Sequence, residues 1–268
     1  MTERVDCEVV NGIARVTLRR PERHNGMDLA MLDQMRRIQR SLRRRRDVRA
    51  VVLSGAGPSF CAGLDFQSVM GRRADLFRLA ASLWLPWRNA LQAWGLGWRQ
   101  LPFPVLAAIH GHCYGAGLQL ALGADIRVAA ADAELSFMEA RWGLLPDMGG
   151  LALVRELLRP DLALELVWSG RVIQGEEAAR IGLVTTVDAD PVARALAWAE
   201  ALSASSPDAM AAGKRALLGG WHDAPASMLG RERGGQRRLL GGANQRLAMR
   251  RGRRTEETPP PWQPRRLR

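Results

Sequence analysis

Lysine is almost missing from this sequence. Of 39 basic residues only Lys214 is a lysine, and the rest are arginine. Cysteine and histidine are scarce too, three and four residues in 268. Cys7, Cys61 and Cys113 are odd in number, far apart and never paired as CxxC. That pattern argues against a disulfide framework or a zinc site and favours a reduced, cytoplasmic setting. No apolar run has the length of a membrane span, and the opening MTERVDCEVV carries no apolar signal region. HExxH, a Walker loop, a GxSxG elbow and a complete GxGxxG are all absent, so the sequence gives those chemistries no foothold.

What is present is enough apolar material for one large core, at 47% hydrophobic and 25% charged residues. The formal charge is +12, and it is uneven. From Arg231 to Arg268 there are 12 arginines against 3 glutamates, so most of the excess lies in the C-terminal region. An arginine-rich proteome explains such a bias simply. The alternatives are an acidic ligand, nucleic acid or a neighbouring subunit.

Periodicity outlines the chain. Val9-Val10-Asn11-Gly12-Ile13 predicts a hairpin with an Asn-Gly turn. Met27 to Arg46 predicts a helix, with Met31, Met35, Ile38 and Leu42 on one face and arginines on the other. Ala50–Ser54 and Pro104–Ile109 are short continuous apolar runs, expected as buried strands, and Asp125–Ala130 is a third. Leu76 to Leu101 is Leu- and Trp-rich and expected to be helical, interrupted by Pro86. Beyond Gly150 the pattern turns helical, with an extended piece near Leu183–Val187 and a helix start at Asp190-Pro191. From Thr255 the sequence TEETPPPWQPRRLR reads as an extended or mobile tail.

Two of these strands are followed by loops that echo each other, CAGLD at Cys61–Asp65 and GAGLQ at Gly115–Gln119. Glycine lets the backbone approach a ligand, and the first amides of a helix have no partner within it. Two such amides converging on one oxygen would form an oxyanion hole. Taken singly, each loop is only a tight turn.

Taken together, FCAGLD, AAIHGHCYGAGLQLALGADIRVAAADAELSF and EARWGLLPDMGG resemble the enoyl-CoA hydratase/isomerase (crotonase) superfamily. The resemblance covers roughly Val5 to Gly220, in order and at family spacing. It implies an α/β fold, a spiral of repeated ββα units with a C-terminal helical region that packs in a homotrimer or a hexamer of two trimers. On that basis residues 1–195 form the core with the CoA and acyl site, 196–254 the helical oligomerisation region and 255–268 the Pro/Arg-rich tail. An acyl-CoA thioester is the implied substrate, in fatty acid metabolism. Coenzyme A is part of that substrate, with no separate cofactor, metal or membrane partner. The backbone amides of Leu64 and Ala116 would hold the thioester oxygen and stabilise an enolate. Gly63, Gly115 and Gly117 would shape the hole. Arg23, in RHN, resembles a family segment near the CoA nucleotide; its plainer role is a surface charge.

Hydratases of the superfamily use two carboxylates, one in the second glycine loop and one about twenty residues on. Here those positions are Gln119 and Glu139. An amide can hold a water but is no useful general acid or base near neutral pH. A second acid stands at Asp147, eight residues after Glu139. That spacing, with GLLPDMGG, is similar to Δ3,5-Δ2,4-dienoyl-CoA isomerases, whose carboxylate pair moves protons across a conjugated system. Which of the two abstracts cannot be read from spacing. Those isomerases carry an aspartate where Gln119 stands, so Gln119 would position substrate or hydrogen-bond. Alternative roles are a salt bridge from Glu139 to Arg141 and an N-cap at Asp147. Asp65 reads as structural, Cys61 and Cys113 as small buried residues, and Trp84, Trp87, Trp94 and Trp98 as core or acyl-chain lining.

The sequence thus points to an acyl-CoA isomerase, with an enoyl-CoA hydratase (a lyase) as the enzymatic alternative. A non-catalytic acyl-CoA binder is a further reading. So is an RNA-binding homologue using Arg36, Arg37, Arg40 and Arg43 to Arg46, although nucleic acid is not the expected partner.

Overall fold

A computed structural model describes residues 3–65, 67–68, 77, 81, 83–84, 89–252 and 260–267. The chain opens with the expected hairpin. Strands β1 (Val5–Val10) and β2 (Ile13–Leu18) pair antiparallel. Asn11 and Gly12 both take positive φ, 51° and 80°, as a turn matched to strand twist requires. Helix α1 (Leu29–Arg44) follows, capped by Asp28, whose Oδ1 accepts from Met31 N at 2.7 Å. Its buried stripe is Met31, Leu32, Met35, Gln39 and Leu42.

β3 (Ala50–Gly55), β4 (Val105–Ile109), β6 (Ile126–Ala129) and β9 (Thr186–Val187) extend the sheet in parallel, in the order β1-β2-β3-β4-β6-β9. A smaller sheet joins β5 (His112–Tyr114), β7 (Glu134–Ser136) and β8 (Ile173–Gln174). β4 steps into β5 and β6 into β7, so successive strand pairs climb from one sheet to the other. Helix α2 (Gln92–Arg99) packs against α1 and α3 (Ala116–Leu122). Further along lie α4 (Gly150–Val154), α5 (Pro160–Ser169) and α6 (Gly175–Arg180). The main core lies on the α1 face of the sheet and includes Trp94, Trp98, Phe60 and Phe103. The opposite face packs Ile13, Val52, Leu106 and Val128 against Ala195 and Ala199 of α7 (Pro191–Ser203). Strands covered on both faces explain the unbroken apolar runs.

Asp190 caps α7 through Val192 N and Ala193 N, and Pro191 fills its first turn. This helix belongs to the core packing yet runs past residue 195. The C-terminal region continues with α8 (Pro207–Gly219), α9 (Pro225–Leu239) and α10 (Ala243–Gly252). Residues 260–267 are extended as read, but they are tied down. Arg265 N donates to Arg46 O at 3.0 Å, and Arg266 N and Leu267 N donate to Asp208 Oδ1 at 2.7 and 2.9 Å. Most of Leu76 to Leu91, including Pro86 and Trp87, lies outside the described residues. Among the described residues no helix is long and apolar enough to cross a membrane.

Arg20 ties the first glycine loop to α1. Its buried guanidinium donates to Gly26 O at 2.6 Å and Asp65 Oδ2 at 2.9 Å, and lies 3.5 Å from Asp28 Oδ2. Arg20→Met would leave the largely buried Asp65 without its cation and Asp28 with Arg4 alone. The unfolding free energy is expected to fall by about 3–5 kcal/mol in urea denaturation. A loss below about 1 kcal/mol would mean that solvent already screens the group.

Candidate active site

Two loops meet at the C-terminal ends of the parallel strands. The first, after β3, runs beside β5: Phe60 N donates to His110 O, Cys61 N to His112 O and Tyr114 N to Cys61 O, at 2.8–3.0 Å. On its other side Met27 N donates to Gly63 O and Asp65 N to Met27 O. That pairing turns the amide of Leu64 away from Met27. A Cβ added to Gly63, where φ is +103°, would stand 3.1 Å from Tyr114 O and 3.9 Å from Ala116 N. At Gly117 an added carbon would overlap the carbonyl oxygen of Cys61. The two loops therefore pack backbone to backbone, which glycine alone allows at these points.

Ala116 is the first residue of α3, so its amide has no partner within the helix. Neither Leu64 N nor Ala116 N has a hydrogen-bond acceptor among the described residues. Ala116 is also braced from behind, since Trp94 Nε1 donates to its carbonyl at 2.8 Å. Leu64 and Ala116 thus carry backbone N–H groups without a protein acceptor among the described residues, in the two loops that pack together.

Gln119, one turn into α3, is fully buried. Its Oε1 accepts from Met148 N at 2.8 Å and Gly150 N at 3.0 Å, and its Nε2 donates to Glu139 Oε1 at 2.6 Å. Two backbone donors fix which end of the amide is oxygen. The side chain thus joins three segments and gives Glu139 a proton donor that does not dissociate. Nothing in the sequence announces this clamp except the Gly149-Gly150 pair. A Cβ at Gly150 would lie 2.6 Å from Gln119 Cγ.

Glu139 begins a 3-10 turn, Glu139–Trp142, just after β7. Its Oε1 would stand 3.3 Å from a Cβ on Gly115, beside the Ala116 amide. Its Oε2 is buried without a hydrogen-bond partner among the described residues. Burial raises the Glu139 carboxyl above its ordinary value and the charge of Asp147 adds to this, while the Gln119 hydrogen bond works the other way. Burial likewise raises Asp147. No ion pair joins Glu139 to Arg141 among the described residues. Asp147 is not a cap either: the cap position of α4 is Gly149, without a side-chain bond. Both simpler roles weighed from sequence therefore fall away.

The other singled-out residues divide. Arg23 is exposed in a 3-10 turn (Pro21–Arg23) at the outer edge of the first loop. Cys61 and Cys113 are buried, and burial pushes the Cys61 thiol up to about 12, leaving it protonated. Asp65 accepts from Ser68 and Arg20, a structural role. Trp94 and Trp98 are core, whereas Trp84 is 89% exposed. Among the described residues no group of three or more His, Cys, Asp or Glu is placed to hold a metal ion.

The climbing strand pairs and paired amides define the class: an α/β enzyme of the crotonase fold. Residues 8–265 match the family model described as Enoyl-CoA hydratase/isomerase, and the chain belongs to that family. It is 31% identical over 218 residues to (E)-benzylidenesuccinyl-CoA hydratase of Thauera aromatica, covering 80% of this chain and 82% of that one. An enoyl-CoA hydratase structure from Bacillus anthracis superposes with a TM-score of 0.88 at 26% identity, covering 97% and 99%. A Thermobifida fusca structure in complex with CoA gives 0.79 at 31% identity, covering 93% and 95%.

Gly150→Ala would push the Gln119 side chain off its two backbone donors. Turnover of whichever unsaturated acyl-CoA the unaltered protein converts is expected to fall at least tenfold, about 1.4 kcal/mol of transition-state stabilisation, with the far-ultraviolet circular dichroism unchanged. Full activity in the variant would show that the clamp is dispensable.

Proposed function

We propose that the chain is an acyl-CoA isomerase that moves protons along an unsaturated acyl chain, with Glu139 and Asp147 as the proton carriers. The observation that carries this reading is the clamped amide of Gln119. It occupies the place of one hydratase carboxylate and cannot exchange a proton, while Asp147 supplies a second acid elsewhere.

With a 3,5-dienoyl-CoA, the thioester oxygen lies on the amides of Leu64 and Ala116. Glu139, beside Gly115, takes a proton from C2. The electron pair forms the enolate, which those amides stabilise. Asp147, whose carboxyl burial raises, delivers a proton to C6 as the enolate collapses. The double bonds shift to positions 2 and 4. The cycle leaves Glu139 protonated and Asp147 ionised, and proton exchange with water restores both. No water adds to the chain, and Gln119 only positions Glu139.

Hydration is the second reading, because the relatives matched here are named hydratases. It would leave water activation to Glu139 alone. Assembly as a homotrimer is the matching proposal for the C-terminal region, supported by the exposure of Trp221, Leu229, Leu240 and Met249 there.

Two ultraviolet assays separate the readings. The protein is expected to raise the 2,4-dienoyl band from a 3,5-dienoyl-CoA while leaving a 2-enoyl-CoA in water untouched. Loss of the enoyl band alone overturns the isomerase. Glu139→Gln and Asp147→Asn should each lower isomerisation by about 10²–10⁴-fold.

The pH profile carries the sign. If Glu139 acts ionised, kcat/KM rises with pH through a limb above the ordinary glutamate value of about 4.3. The profile falls again where Asp147 loses the proton it must deliver, and in the residual activity of Asp147→Asn that falling limb disappears. Conversely, Gln119→Glu restores the two-carboxylate pair and is expected to introduce hydration of 2-enoyl-CoA. A falling limb that survives in Asp147→Asn, or a Gln119→Glu variant still silent in water, would count against these roles.

A further inference from the structure

A cleft of about 1000 Å³ lies far from the glycine loops. It is bounded by the C-terminal ends of α1 and α2, by α8 and by the tail. Helix α1 starts beside the Met27–Leu64 bridge and runs for 16 residues, so its far end is about 24 Å away. The walls carry Arg43, Arg44 and Arg46 from the end of α1, Arg215 from α8 and Arg265 from the tail. Arg99 and Lys214 also line it, but they are already neutralised by Glu156 and Asp125. Glu156 is the one carboxylate among the lining residues.

The cations of this cleft are poorly matched. Arg43, Arg44, Arg46 and Arg215 form no ion pair among the described residues. Arg265 is 2% exposed, and its Nη1 and Nη2 reach only backbone carbonyls, Leu267 O at 2.6 Å and Arg45 O at 2.8 Å. Its Nε is buried without a partner among the described residues. Asp208, the acid attracting it, already accepts from Arg266 N, Leu267 N and Asn244 Nδ2. Burial disfavours the guanidinium's charge most, Asp208 attracts it, and the charges of Arg46 and Arg215 repel it more weakly. Like charges held together at a partly dry site are costly unless an anion joins them.

We propose that this cleft is a second binding site, taking a compact small molecule with two or more linked phosphates. Guanidinium groups from three segments can grip phosphate oxygens in pairs. Leu101, Pro102 and Leu218 give the same cleft an apolar wall, suited to an organic group of nucleotide size. The site is concave and of small-molecule volume, which favours this occupant over an extended nucleic acid. A bound polyphosphate would also fasten the tail to α1, since Arg265 belongs to the tail and Arg43 and Arg44 to α1.

Calorimetric titration of the full chain with sodium tripolyphosphate and with ATP tests this. Saturable binding at one site per chain is expected, with orthophosphate at least a hundredfold weaker. Equal affinity for the two ligands would mean that the phosphates alone are recognised; tighter ATP would mean that the apolar wall contributes. Arg46→Gln/Arg215→Gln should weaken tripolyphosphate at least tenfold. The control Arg155→Gln/Arg180→Gln removes the same charge from exposed positions and should change it less than twofold. Equal losses in both doubles, or no saturable binding, would overturn the site. So would tighter binding per phosphate of a single-stranded oligoribonucleotide, or a change of oligomer mass in the first double. In the unaltered chain, tripolyphosphate should slow hydrogen exchange across residues 260–267 at least fivefold. Unchanged exchange at saturation would also overturn it.

Discussion

The carbonyl oxygen of Cys61 stands where the side chain of residue 117 would begin, and the site depends on that contact. Because Gly117 yields, the first glycine loop can lie directly on the start of α3. The free amides of Leu64 and Ala116 are thereby brought to one seam. Around this contact the chain builds rigidity in layers. Met27 holds the first loop by two backbone bonds, Trp94 holds the second from behind, and Arg20 fixes the first loop to α1. Donors held in this way need no rearrangement to meet an acceptor.

The second constraint is electrostatic. Glu139 sits where burial disfavours its charge, and one of its oxygens has no partner among the described residues. A carboxylate at position 119 would add a second negative charge to the same pocket. The amide instead offers a hydrogen bond with no charge and no proton to lose. The Gln119 side chain, itself held by amides about thirty residues further along, fixes the Glu139 carboxyl by a hydrogen bond. Asp147 then becomes the other titratable group near Glu139, and its charge is felt there.

Much of the framework was legible in the residues. Asn11-Gly12 fixed the hairpin, the Met31–Leu42 stripe marked α1, and the unbroken apolar runs marked strands covered on both faces. The glycine loops were legible because backbone approach needs glycine whatever surrounds it. The role of Gln119 was not, because its partners are the amides of Met148 and Gly150, and any sequence supplies amides. For Asp147 the sequence left two roles open, since an acid after proline fits a cap as well as a catalyst; the position of α4 removes the cap. The tail shows a similar limit. Proline and arginine suggest an extended segment, and it is extended, but composition does not reveal that Asp208 and Arg46 hold it.

The scarcity of lysine has a chemical consequence. Lys214 is the single lysine of the sequence, and it is engaged between Asp125 Oδ2, at 2.6 Å, and Phe103 O. Every other side-chain cation is a guanidinium or an imidazole. Guanidinium groups keep their charge throughout the physiological pH range, and acylating agents that capture lysine amines do not react with them in the same way. Acyl-CoA thioesters are themselves mild acylating agents. A protein of this family that works among them exposes almost no side-chain amine for them to modify, so its positive surface is chemically durable as well as strong.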